Sequence, residues 1–129
     1  MLKTGILNPQ LNSLLSRVRH TNTLVIADRG FPFWPMLETI DLSLVDNVPT
    51  VLQVLGAIRL NFKIGQAWMA REFLRNNTAH IRSLFTEAFH GIDLKHEPHS
   101  SLKQRVPRAI GLIRTGDTIQ YANMVLESA

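Results

Sequence analysis

The chain has 129 residues, 45% of them hydrophobic and 19% charged, which is typical of one soluble globular domain spanning residues 1–129. It contains no cysteine, which excludes disulfides, thiolate catalysis and cysteine-ligated zinc and is in keeping with a cytoplasmic protein. The net charge is +4, but the basic residues are scattered and no apolar run reaches membrane-spanning length. We therefore expect no nucleic-acid partner and no membrane partner.

The first half of the chain predicts two helices and two strands. Asn8-Pro9 is a typical helix start, and the apolar residues that follow recur at helical spacing. A β-branched apolar run comes next, and after an aromatic loop the sequence alternates apolar and polar residues with period two. The predicted elements are a helix from Pro9 to about Arg19, a strand over 23–27, a loop over 29–35, a strand over 39–44 and a helix from Pro49 through Ile58.

The second half predicts two more helices and four strands. Gly91 is expected to end the longer helix and Pro107 to stop the shorter one. The predicted elements are a strand within 61–70, a helix over about 78–89, a strand over 92–97, a short helix over 100–105 and strands over 109–115 and 122–127. Strands that alternate with helices indicate a single-domain α/β layer sandwich with a largely parallel sheet.

His20 and Asp28 flank the first predicted strand and are candidates for chemistry. The imidazole of His20 suits general acid/base catalysis near neutral pH, although a histidine near a helix end is often only a surface or capping residue. Asp28 follows the strand directly, where α/β proteins place ligand-contacting groups. It could orient His20 or bind the hydroxyls of a ligand, or it could be a simple turn residue.

Three further histidines, His90, His96 and His99, lie close together in the sequence. Pro98 interrupts the continuous helix on which paired metal ligands would converge, so we do not expect a metal site. We expect instead that His99 joins the same pocket as His20. Lys103 lies four residues further along and is expected to share the helix face of His99.

Two other polar or aromatic groups could contribute to a ligand site. Tyr121 and Asn123 can bind hydroxyls as donors or acceptors. Phe33 and Trp34 could form a stacking wall for the apolar face of a sugar, or could pack the loop onto the core. The sequence contains no phosphate-binding loop, no glycine-rich dinucleotide motif and no nucleophile elbow, which disfavours nucleotide-dependent and covalent chemistry.

An ordered set of short motifs resembles the D-ribose pyranase family, which also includes the L-fucose mutarotases. The match runs from about residue 3 to residue 126. It comprises Leu7-Asn8, Leu14-Leu15-Ser16-Arg17, the run from His20 to Asp28, Ile40-Asp41-Leu42-Ser43-Leu44, Val48-Pro49 with Gln53-Val54-Leu55, His99 with Lys103, and Ile113-Arg114-Thr115-Gly116 leading into Tyr121-Ala122-Asn123.

The resemblance implies a Rossmann-like α/β/α sandwich and a ring-shaped homo-oligomer, commonly a decamer. It also implies cofactor-independent interconversion of the pyranose and furanose forms, or of the anomers, of a free monosaccharide, with the pocket near a subunit boundary. His20 matches the family's catalytic proton donor. The substrate-contacting positions of the family match Asp28, His99, Tyr121 and Asn123, with Lys103 nearby.

The loop after Asp28 departs from the family pattern. Where the family has small or aliphatic residues, this chain has Arg29-Gly30-Phe31-Pro32-Phe33-Trp34-Pro35. A guanidinium at position 29 can bind a carboxylate or phosphate, but it can equally point outward. The prediction is therefore a neutral, ribose-like sugar before a fucose-like one, with a sugar acid or phosphate as the minor alternative. The alternative function is a non-catalytic sugar-binding or transport-associated protein on the same fold.

Overall fold

The first strand, β1 (Thr23–Ala27), lies inside the sheet and is buried on both faces. In the computed structural model, which describes residues 1–129, Leu24 and Ile26 pack into one apolar cluster and Val25 and Ala27 into another. This alternation follows from the two-residue repeat of a strand. It explains why the run is apolar throughout.

Six strands and five helices make up the chain. The strands β2 to β6 are Thr39–Asp41, Ile64–Ala70, Asp93–Glu97, Gly111–Arg114 and Met124–Ser128. The helices α1 to α5 are Pro9–Arg17, Val51–Asn61, Arg71–Asn76, Ala79–Ala88 and His99–Arg105, and a 3₁₀ turn at Val106–Arg108 follows the last of them.

The strands form one sheet in the order β2-β5-β1-β6-β3-β4. β6 is antiparallel to both of its neighbours, β1 and β3, and every other pairing is parallel. The expectation of a largely parallel sheet is therefore confirmed. Because β6 runs backwards, its first residues lie beside the last residues of β1, where Ile26 pairs with Met124.

Helices cover both faces of the sheet, as expected for an α/β/α sandwich. The first face packs against α1 to α4 through a cluster that includes Leu14, Leu55, Phe73 and Phe85. The second face packs against α5, the 3₁₀ turn and the loop after β1, through a smaller cluster that includes Leu102. No helix is long and apolar enough to cross a membrane.

The predicted strand over 39–44 is shorter in the structure. The Asp41 Oδ1 atom accepts the backbone N–H of Ser43 at 2.9 Å, which turns the chain out of the extended conformation after Asp41. The second helix begins at Val51 rather than Pro49. Thr50 caps it, and the side chains of Thr50 and Gln53 each accept the other's backbone N–H, which is a capping box.

Helix α3 was not predicted from the sequence. It follows β3 with no intervening turn, and its N-cap residue, Ala70, provides no side-chain hydrogen bond. The segment is only six residues long. Its buried residue, Phe73, packs against Phe85 with ring centroids 4.6 Å apart. Such a helix depends on tertiary packing and has little local signal.

Candidate active site

A cavity of about 460 Å³ opens at the edge of the sheet where β1 ends and β6 begins. It also lies at the start of α5, just after β4. The structure brings five of the six candidate site residues together around this cavity. The lining residues are Asp28, His99, Lys103, Tyr121 and Asn123, joined by Gly30, Phe31, Pro32 and Gln120.

Asn123 holds the end of β1 in place. Its carboxamide Oδ1 accepts the backbone N–H of Asp28 at 2.8 Å, and Asn123 as a residue is 3% exposed. The Asp28 carboxylate in turn accepts the Gly30 N–H at 2.9 Å. Burial raises the pKa of the Asp28 carboxyl, while hydrogen bonds from Gly30, Asn123 and Phe31 oppose that rise. Asp28 is therefore a partly desolvated group that can accept or release a proton close to a ligand.

Arg114, at the end of β5, anchors the loop after Asp28 through hydrogen bonds. Its guanidinium donates to the backbone carbonyls of Asp28, Arg29 and Pro32 at 3.2–3.3 Å. A planar guanidinium has five donors in a fixed geometry, so one side chain can fix several carbonyls of a turn. The shape of the cavity on this side therefore depends on Arg114.

Tyr121 forms the wall next to His99. Its backbone has φ of 57°, a left-handed conformation that is uncommon for a large side chain. Its ring meets the His99 imidazole edge-on, with centroids 5.1 Å apart and planes at 85°. Phe31 packs against the imidazole from another side at 6.3 Å. The imidazole thus packs against two aromatic rings.

The Nε2 atom of His99 is buried and makes no hydrogen bond within the chain. Burial lowers the pKa of the His99 imidazole, Lys103 lowers it further, and the carboxylates of Glu72 and Asp28 oppose both effects. A ring with a lowered pKa is neutral over more of the physiological range. His99 is therefore suited to exchange a hydrogen bond or a proton with a hydroxyl in the cavity.

His20 lies at the opposite edge of the sheet. It precedes β1, and the adjacent Thr21 N–H bonds to the carbonyl of Ser128 at the end of β6 at 3.0 Å. Since a strand rises about 3.3 Å per residue, β1 alone separates His20 from Asp28 by about 16 Å. His20 is exposed and does not line the cavity. Within one chain, then, Asp28 does not orient His20, and His99 does not share a pocket with it.

None of Arg29, Phe33 and Trp34 lines the cavity, so Phe33 and Trp34 form no sugar wall within one chain, and the alternative, packing onto the core, holds for Trp34. Arg29 points away from the cavity and pairs with Asp46, Nη1 to Oδ1 at 2.7 Å. Phe33 is 70% exposed. Trp34 stacks behind Phe31 and packs against the second core cluster. Of the three aromatic residues in the loop, Phe31 is the one that lines the cavity.

Sequence reasoning also missed Gln120, which precedes Tyr121 and lines the cavity. A polar residue next to a recognised site motif is a weak signal that could have indicated it. No group of three histidine or acidic side chains is placed to hold a metal ion. His96 lies within β4 and not at the cavity, and burial lowers the pKa of its imidazole.

The arrangement of the whole chain is shared with proteins of known structure. The structure of Bacillus subtilis RbsD complexed with D-ribose superposes with a TM-score of 0.92 at 29% identity, covering 100% of this chain and 98% of that one. The fucose mutarotase of Streptococcus pneumoniae, solved with L-fucose, has the same fold, with a TM-score of 0.83 at 19% identity over 99% and 98% of the two chains.

Sequence comparison leads to the same group of proteins. The D-ribose pyranase of Geobacillus kaustophilus is 38% identical over 128 residues, which cover 99% of this chain and 93% of the relative. A D-ribose pyranase of Escherichia coli is 31% identical over 98% of this chain and 96% of the relative. The family model described as "RbsD / FucU transport protein family" matches residues 1–129. The chain therefore belongs to the RbsD / FucU family.

Proposed function

We propose that this protein is a monosaccharide mutarotase, an isomerase that interconverts the pyranose and furanose forms of a free ribose-like sugar. The observation that carries the proposal is the cavity in which Asp28, His99, Lys103, Tyr121 and Asn123 converge. The family relationship supports it, because relatives at 31–38% identity over the full chain are D-ribose pyranases.

The chemistry requires proton transfers coupled to the cleavage and re-formation of one C–O bond. A cyclic hemiacetal opens when its anomeric hydroxyl loses a proton, the bond between the anomeric carbon and the ring oxygen breaks, and the ring oxygen gains a proton, which leaves the open-chain carbonyl form. Closure through a different hydroxyl reverses these transfers and gives the other ring size. A well-placed general acid or base accelerates such a step by about 10²–10⁴-fold. Asp28 and His99 can each exchange a proton or bind a hydroxyl, and Tyr121 and Lys103 add further hydrogen-bonding groups.

We assign the acid/base role at the ring to His20 supplied by a second copy of the chain. His20 is exposed at the sheet edge opposite its own cavity, so only another copy can bring it to a site. The surface also carries exposed apolar side chains such as Leu7, Leu44 and Leu60. An apolar groove of about 660 Å³ lies beside Leu7 and Leu60, between α1 and α2. Such surfaces favour association with other copies.

A decameric ring and a cytoplasmic location remain predictions. The ring is testable by light scattering, which is expected to give a homo-oligomer, most simply a decamer. A stable and active monomer would contradict both the ring and the shared site.

The neutral sugar is favoured over an anionic one. Arg29, the group that could have bound a carboxylate or phosphate, is paired with Asp46 outside the cavity. Lys103 remains as the one cationic side chain among the lining residues, and it is balanced by Asp28. A pocket with one cation and one carboxylate suits hydroxyl groups better than a phosphate.

The decisive experiment is NMR saturation transfer between the pyranose and furanose signals of D-ribose at equilibrium. The wild-type protein is expected to accelerate exchange, and His20→Ala to lose it while still binding ribose. His80→Ala is the matched control, because His80 is exposed on α4 and its side chain makes no hydrogen bond or salt bridge. Binding of ribose by wild type without any acceleration would favour the alternative, a non-catalytic sugar-binding protein.

Complementation tests the shared site directly. His20→Ala chains retain the cavity residues, and Asp28→Asn chains retain His20. Co-expression of the two impaired variants is expected to raise activity above that of either alone, to about a quarter of the wild-type level, if copies mix at random in a symmetric oligomer. Lack of any recovery in mixed oligomers would show that His20 does not act at a neighbour's cavity.

A further inference from the structure

Glu72 reaches His99 from a different element. Glu72 lies in the first turn of α3, directly after β3, and its side chain is 26% exposed. Its two carboxylate oxygens accept the backbone N–H of His99 at 3.1 and 3.2 Å. Twenty-seven residues separate the two in the chain. The contact is therefore created by the pairing of β3 with β4, which brings the segments that follow both strands side by side.

This carboxylate provides the cap that α5 lacks. His99 is the first residue of α5, and the N-cap residue is Pro98, which makes no side-chain hydrogen bond. The first N–H groups of a helix have no partner inside the helix, and a negative charge there is stabilising. Glu72 thus fixes the point at which α5 starts, and with it the residue that carries the imidazole.

The hydrogen bond between Glu72 and His99 affects the position of the His99 imidazole in the site. The imidazole of His99 packs against the rings of Phe31 and Tyr121, and its buried Nε2 makes no hydrogen bond within the chain. A shift of the His99 backbone would move the imidazole relative to Asp28 and the other residues that line the cavity. Hydrogen-bonding groups lose much of their effect when they are displaced by about 1 Å from a productive geometry.

We propose that Glu72 is a positioning residue, which places the His99 imidazole for the sugar by binding the His99 backbone N–H with its carboxylate. The sugar-related part of this inference rests on the proposed function. The charged groups that face His99 are Lys103 on its own helix, Asp28 after β1 and Glu72 itself. Arg75 approaches Glu72 only at 4.0 Å and is 74% exposed. Glu72 is thus a negative charge that opposes the lowering effect of Lys103 on the pKa of the His99 imidazole.

The test compares Glu72→Gln and Glu72→Ala with Glu87→Gln, a control at an exposed glutamate of α4. NMR of histidine-labelled protein without sugar reports the His99 amide proton and the titration midpoint of its imidazole. Gln keeps an acceptor oxygen but removes the charge, so Glu72→Gln is expected to fold and to shift the His99 amide signal upfield. Its imidazole midpoint is expected to fall, because an anion that stabilises the imidazolium is gone.

Activity provides a second readout. Glu72→Ala is expected to raise the KM for D-ribose by about tenfold, with a smaller change in kcat, because it removes a hydrogen bond to a charged group. An unchanged His99 amide signal and midpoint in Glu72→Gln would overturn the inference, whatever the activity. A shifted midpoint in a protein whose wild type does not accelerate ribose exchange would leave the Glu72–His99 link intact and contradict the proposed function instead.

Discussion

The carboxamide oxygen of Asn123 accepts the backbone N–H of Asp28 at 2.8 Å and joins two cavity residues that are 95 positions apart in the chain. The bond spans the β1–β6 pair at the point where one strand ends and the other begins. It makes the position of the Asp28 carboxylate depend on the C-terminal strand. Asn123 is therefore as much a support for Asp28 as a hydroxyl-binding group in its own right.

Asn123→Ala removes this support. The Asp28 N–H is left without its partner in a partly buried position, and the expected loss is about 1–3 kcal/mol in the free energy of unfolding. We expect weaker D-ribose binding as well, because the Asp28 loop loses one anchor. Urea unfolding and ribose titration measure both effects.

The control is Asn12→Ala, which removes an exposed carboxamide of α1 that bonds only the Ile6 carbonyl. It is expected to change the free energy of unfolding by less than about 0.5 kcal/mol. Equal stability of the two variants would contradict the structural role of Asn123.

Asp28→Asn is expected to raise the stability of the fold at neutral pH while it lowers the activity. Burial raises the pKa of Asp28 in the folded chain, so the folded state binds the proton more tightly than the unfolded state does. That preference stabilises the fold at acid pH and is lost as the pH rises through the folded pKa, so the ionised carboxylate is the disfavoured form at neutral pH. Asn is neutral at every pH and keeps an oxygen for the Gly30 N–H.

The variant is therefore expected to have a higher Tm than wild type at pH 7, and the difference is expected to vanish below the ordinary aspartate value of 3.8. Its ribose exchange activity is expected to fall by at least about tenfold, since a charged hydrogen-bonding group is lost. Thermal unfolding of both proteins between pH 7 and acid pH measures the sign of the Tm difference. A Tm gain that persists at acid pH would point to a cause other than the buried charge.

Arg29→Ala is expected to have little effect. Arg29 and Asp46 form an exposed pair, with side chains 58% and 60% exposed, and such pairs contribute less than about 1 kcal/mol to stability. D-ribose exchange is expected to be unchanged. A thermal-shift panel of neutral and anionic sugars provides the check. Stabilisation by anionic sugars alone, abolished in Arg29→Ala, would show that the neutral-sugar prediction is wrong.

Alanine substitutions at Gly116 and Gly56 compare a glycine in close contact with another segment of backbone and a glycine with open space around it. A Cβ atom at Gly116 would lie 2.2 Å from the carbonyl oxygen of Val45, so Gly116→Ala forces the 45–48 turn away from the end of β5. The expected loss is about 1–3 kcal/mol. Gly56 lies exposed inside α2 with nothing within 4 Å of its Cβ position, so Gly56→Ala is expected to gain about 0.5–1 kcal/mol. Denaturant unfolding of both variants measures these changes, and equal stability would contradict the close approach at Gly116.

The sequence by itself determined most of the helices and strands, with α3 as the exception, and five of the nine residues that line the cavity. The buried run 23–27, the helical spacing of the apolar residues and the order of the motifs are local signals, and they correctly predict β1, the helices α1, α2, α4 and α5, and a largely parallel sheet. The family motifs likewise named five residues that the structure brings to one cavity. Each of these signals lies within a few neighbouring residues and can be recognised without knowing the fold.

Only the tertiary structure decided which residues meet. Strand order and direction depend on hydrogen bonds between distant segments, so the sequence did not indicate that β6 runs backwards and places Asn123 against Asp28. The same pairings place Glu72 against His99. They also fix His20 at the far edge of the sheet, because a residue before a strand and a residue after it lie at opposite ends of that strand.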